Sequence, residues 1–272
     1  MRTLLTLALL VPALSGATEP NTLLDRGYHQ MYNLLFDDAH QSFREWSRAN
    51  PDDPIGPTSD AAAYLFAEFD RLQILQSEFF VHDDSFRTDA TIPDPEAKRQ
   101  FDLALERGRV LADRALVRNP NDSNALFASV LRRGLKADYV GLIEKRYFAT
   151  LGEIKAGRTL AQKLLAVDPQ CYDAYLALGV ENYMLSLKPA PIRFLLRLGG
   201  AQTDREQGLK ELRITAEKGR SLMPYARLLL AVAALRDRDS RRATELLEYL
   251  ASTFPKNPLY AKELARLRAG HG

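Results

Sequence analysis

Cysteine and histidine are nearly missing from this 272-residue chain. Its one cysteine, Cys171, has no partner for an internal disulfide. Its four histidines, His29, His40, His82 and His271, form no i, i+4 pair and hold no metal spacing with the cysteine. Disulfide scaffolds and His/Cys zinc sites are thereby excluded, and no cofactor is expected. HExxH, GxSxG, P-loop and GxGxxG patterns are also missing, and Gly199-Gly200 is too short to cradle a phosphate. Valine and threonine are sparse beside leucine, alanine, arginine and glutamate, a bias toward helix. Charge of one sign is not in excess: 37 basic against 35 acidic side chains leave +2, so the total points to no nucleic-acid partner. Beyond the first twenty residues no apolar run is long enough for a membrane helix.

The chain begins MRTLLTLALLVPALSGATEP. Arg2, the short apolar run Leu4–Leu14 and the small residues Ser15 and Ala17 form the pattern of a cleaved secretory signal over residues 1–17. No cysteine follows that run to take a lipid, so a periplasmic or secreted protein is expected, with residues 18–272 as one domain. Charge is uneven in that domain. Residues 18–184 carry 19 basic and 26 acidic side chains, and residues 185–272 carry 17 and 9. The basic end is a solvated surface or an attraction for acidic partners and anionic membranes.

The stretch Asp168–Leu187, DPQCYDAYLALGVENYMLSL, sets the phase for the rest. After a proline break it carries Tyr175, Leu178 and Gly179 at a spacing that suits one helix packed closely on another. It resembles the first helix of a tetratricopeptide repeat, and the resemblance implies an all-α, right-handed α-solenoid. Phased this way, the chain predicts about five degenerate helix pairs with insertions and a C-terminal capping helix. Pro20–Asp53 is the first pair, with Gly27 facing Ala39 and Phe43. Asp60 is expected to cap a helix running to Phe80, followed by an acidic loop over 82–95 that lacks calcium spacing. Pro95–Arg118 is its partner. Ser123–Val140 and residues 141–166 form the third pair, with Leu126 and Val130 inward and Gly157 and Ala161 at close-contact spacing. Pro51, Pro120, Pro169 and Pro255 each end a second helix. An insertion at 189–200 precedes a helix capped by Thr203 or Asp204. Pro224–Asn257 is the clearest repeat, and Leu259–Arg268 the cap.

First-helix positions facing away from the partner helix would line a concave groove. They are Leu24, Tyr28 and Met31; Phe127 and Leu131; Leu176, Val180 and Tyr183; Leu228, Val232 and Leu235. Carboxylate-binding tetratricopeptide repeats would carry Lys and Asn there, and this set is mostly apolar. It suits a protein or peptide segment, an apolar ligand, or the protein's own helices as core. Glu181 and Asn182, with Lys136, Asp138 and Glu144, read as charges pairing across repeats and not as a general acid and base. Cys171 opens a helix, where a thiol pKa can fall. Ile192–Leu198 is expected to fold back onto the body. Exposed, its Arg193, Phe194 and Arg197 would make membrane or partner contact, at most peripheral.

Pro189 and Pro191, Phe194–Leu198, Gly199-Gly200 and the DRE-x-GL run Asp204–Leu209 resemble a segment of the tetratricopeptide-repeat-39 family, which includes the inclusion-body clearance proteins. The resemblance spans about 25 residues and implies a non-enzymatic helical interaction protein. Two functions follow as expectations: an exported scaffold for a protein or peptide partner, and a small-molecule or lipid-binding accessory protein of a transport system.

Overall fold

In the computed structural model, residues 22–74 and 92–269 are described. The first seventeen residues and most of the acidic loop fall outside them, and the helix expected to run to Phe80 ends instead at Arg71, where Gln73 turns to a φ of +58°. The described residues form twelve α-helices and no strand. They are α1 (Leu23–Tyr32), α2 (Phe36–Ala49), α3 (Ile55–Arg71), α4 (Pro95–Arg118), α5 (Ser123–Asp138), α6 (Tyr147–Val167), α7 (Tyr175–Ser186), α8 (Ala190–Leu198), α9 (Arg205–Lys218), α10 (Met223–Arg236), α11 (Ser240–Thr253) and α12 (Pro258–Ala269). Consecutive helices pair as α1–α2, α3–α4, α5–α6, α7–α9 and α10–α11, with α12 on α11. Each pair packs on the next, as in a right-handed α-solenoid.

Local chemistry sets the boundaries. Pro51, Pro120, Pro169 and Pro255 stand two residues beyond the ends of α2, α4, α6 and α11, and the residue before each leaves the helical conformation. Thr22 caps α1 in a reciprocal box with Asp25, while Asp94, Asp122, Asp204 and Asp239 cap α4, α5, α9 and α11. Two further boundaries differ from the sequence reading. The third helix begins at Ile55 after Pro54, with Pro57 in its first turn, where a missing N–H costs nothing. Asp60 is therefore inside the helix and accepts from His40 Nδ1 at 2.5 Å instead of capping. The other is at Tyr139–Ile143, where α5 runs on as a π turn, delaying α6 to Tyr147.

Gly179 of α7 and Gly208 of α9 bring two backbones together. A Cβ on Gly179 would sit 2.9 Å from Leu212 N, and one on Gly208 2.5 Å from Tyr183 N. Neither neighbour can swing aside, because both are main chain. Gly208→Ala is expected to destabilise the fold by about 2–3 kcal/mol or to prevent folding. Gly152→Ala, whose new methyl meets nothing within 4 Å, should be neutral or slightly stabilising. Equal urea midpoints for the two variants would refute the close-approach argument.

Candidate interaction surface

The eleven residues expected along the groove lie inside the molecule. Tyr28, Met31, Leu131, Leu176, Tyr183, Leu228 and Val232 are buried, and Leu24, Phe127, Val180 and Leu235 are half-buried. All but Leu235 belong to, or pack against, one continuous apolar cluster. Seven of the eleven are thus packed as core, one of the alternatives open for this face.

Helix α1 is also tied to the last repeats. Its Tyr32 ring packs on Phe66 and Phe254 with centroids 5.6 and 5.4 Å apart, and Phe66 in turn meets Tyr225 at 5.6 Å. The Tyr32 hydroxyl donates to Ser221 O at 3.0 Å. Asn257 Nδ2 donates to Tyr32 O at 3.1 Å, and Lys256 N donates to Asn33 Oδ1 at 3.0 Å. Arg220 Nε donates to Asp25 Oδ1 at 2.6 Å. None of these partners is near the other in sequence, and no residue type among them marks the contact in advance.

The loop that reaches α1 is built on Asp173. This buried carboxylate accepts from the backbone N–H of Arg220, Ser221 and Leu222 at 3.0, 3.0 and 3.1 Å. Burial raises its pKa, and the three amides act against the rise. Two elements along, the Tyr225 hydroxyl donates to Asp138, whose carboxyl burial pushes up to about 7. Glu181 pairs with Arg158 at 3.0 Å and accepts from Gln202 N at 3.0 Å, and Lys136 meets Glu153 at 2.8 Å. Asn182 donates to Glu211 at 3.0 Å. Charges thus pair across repeats, though Glu181 does so with Arg158 and not with Lys136. Cys171 departs from the helix-start expectation: burial, with Asp173 near it, pushes its thiol up to about 12. It packs at the edge of the cluster of Leu126, Val130, Ala161, Leu164 and Ala174.

The best-formed clefts are shallow. One of about 120 Å³ lies between Phe69, Asn257 and Lys262, and one of about 330 Å³ is lined by Arg26, Gln30, Asp38, Gln41, Ser42 and Glu45. The first is smaller than an ordinary ligand site and the second is polar throughout. Among the described residues no three His, Cys, Asp or Glu gather as metal ligands, and no helix is long and apolar enough to cross a membrane.

Exposed apolar side chains lie on outer faces. Leu103, Val110 and Val117 recur every seven residues along α4 and are 50%, 39% and 85% exposed. The second group is on α8. Contrary to the expected fold-back, no residue of α8 is buried, and among the described residues no helix packs extensively along it. Phe194 faces outward, while Arg193 and Arg197 turn toward the chain: Arg193 Nη1 donates to Lys188 O at 3.0 Å and Arg197 Nε to Thr203 Oγ1 at 2.5 Å. No protein-family model matches the chain, and no curated protein is similar to it.

Two outcomes are expected. Because the folded pKa of Asp138 exceeds the ordinary carboxylate value of 3.8, its contribution is complete at low pH and lost as pH rises toward about 7. Between pH 5 and 8 the wild type should lose roughly 1–3 kcal/mol of stability by urea unfolding, and Asp138→Asn should flatten that slope. A variant with an unchanged slope would assign it elsewhere. Cys171, in turn, should react with iodoacetamide at pH 7.5 at least about 100-fold more slowly than a free thiol.

Proposed function

We propose that this protein is an exported, non-enzymatic helical-repeat scaffold that holds a protein partner on its outer surface. The stripe Leu103, Val110 and Val117 carries this reading. Seven-residue spacing keeps three apolar side chains on one face of α4, drifting only about 20° per step. An amphipathic helix of a partner can lie along such a line. Arg109 beside it bridges Glu106 and Asp113 at 2.6 and 2.5 Å, so both signs of charge flank the stripe and can set a partner's register. Most of the apolar positions expected along a groove are packed as core, which favours an exposed apolar face as the docking surface. Proline-ended second helices and the Gly179 close approach support a tetratricopeptide-like repeat. The apolar start after Arg2 supports export.

The test is affinity capture from the chain's own host with the wild type and with Leu103→Ser/Val110→Ser/Val117→Ser. The three positions are exposed, so the variant should fold and melt as the wild type does. Loss of a captured protein by about tenfold or more is the expected result. Identical partners on both chains would defeat the proposal.

A further inference from the structure

Helix α8 is inside out. Taken around its axis at 100° per residue, Phe194, Leu198, Leu195 and Ile192 occupy one arc, and Arg193 and Arg197 the opposite one. On a solvated helix of a folded body the apolar arc turns inward. Here Phe194, Leu195 and Leu198 are 63%, 66% and 72% exposed, and the arginine arc is the one used against the chain. The stance is held at both ends. Arg193 bonds back to the carbonyls of Ser186 and Lys188 before the helix. After it, Arg158 donates to Gly200 O at 2.9 Å, Gln202 N to Glu181 at 3.0 Å, and Gly200 takes a φ of +80° that a side chain would resist. The apolar arc is therefore displayed by a built frame.

We propose that α8 seats this protein on an anionic lipid surface, inserting Phe194, Leu195 and Leu198 at the headgroup boundary. Charge selects that occupant. The segment from Ser186 to Thr203 contains Lys188, Arg193 and Arg197 and no acidic residue. Lys155 adds a cation where its Nζ meets Gly199 O at 3.5 Å, and Lys188 sits over the Tyr147 ring, next to the exposed Phe148. A second copy docked face to face would set these cations against themselves. A protruding apolar arc on a segment whose charges are all positive matches a bilayer interface, which needs no complementary shape and supplies phosphates.

The mature full chain is sedimented with vesicles of phosphatidylethanolamine and phosphatidylglycerol, and with vesicles of phosphatidylcholine alone. Binding at least about fivefold stronger to the anionic vesicles is expected, weakened by 0.5 M salt. Phe194→Ser/Leu195→Ser/Leu198→Ser should lower it about tenfold with an unchanged melting curve. Lys155→Gln/Lys188→Gln should lower it with the apolar arc intact. A wild type that stays in solution, or a serine variant that binds as well, overturns the proposal. So does a partner protein or a dimer that the serine variant loses while vesicles remain unbound. The α4 stripe is untouched by these changes, so its capture assay stands or falls separately.

Discussion

One buried carboxylate organises the closure of this molecule. Asp173, in the 3-10 turn before α7, receives three successive amides of the loop that leads into α10. Taking a charge out of water is costly, and three charge-assisted bonds are what make it tolerable. Gly219 belongs to the same arrangement: a Cβ there would lie 2.5 Å from Asp173 Oδ1. The loop so fixed projects Arg220 to Asp25 and offers Ser221 O to Tyr32. A contact between residues nearly two hundred positions apart is thus decided by a turn of local chemistry. Helix α1 is thereby tied to the last repeats.

Much of the architecture was legible because it rests on short-range rules. Proline after a helix, an acidic cap before one, and glycine or alanine where backbones approach are all visible within a few residues. Gly27 facing Phe43 and Gly108 facing Thr58 follow the same logic. Two of the misplaced boundaries are also local, but ambiguous. Pro54 and Pro57 read as loop although a first turn accepts both, and Gly141 reads as a helix start although it sits within a π turn. Closure was not legible. Tyr28, Met31 and Leu228 are apolar whether a groove stays open or is filled, and burial depends on Asp25, Arg220 and Asn257, whose meeting leaves no periodic trace in the sequence.

Helix α8 shows a different limit. Its amphipathic pattern is plain in the sequence, but a pattern fixes only that two faces differ, not which one turns inward. Inward-facing arginines need acceptors, and here Ser186 O, Lys188 O and Thr203 Oγ1 supply them. Those acceptors come from the residues flanking the helix, so the orientation is written in the insertion itself and becomes readable only once its turns are known.

The two exposed apolar features are chemically distinct. On α4 the apolar line is bordered by acids and bases already paired with one another, at positions where exposed ion pairs contribute little stability. Such a border can reject a partner whose charges fall out of register, so it favours a specific protein helix. On α8 every formal charge from Ser186 to Thr203 has the same sign, and nothing there distinguishes one register from another. A surface of that kind discriminates only by net charge and apolar depth, which are the properties of a lipid leaflet. The division between a register-setting face and a register-free face follows from the residues flanking each apolar line, and it is why the two proposed occupants, a partner helix and a lipid surface, differ in kind.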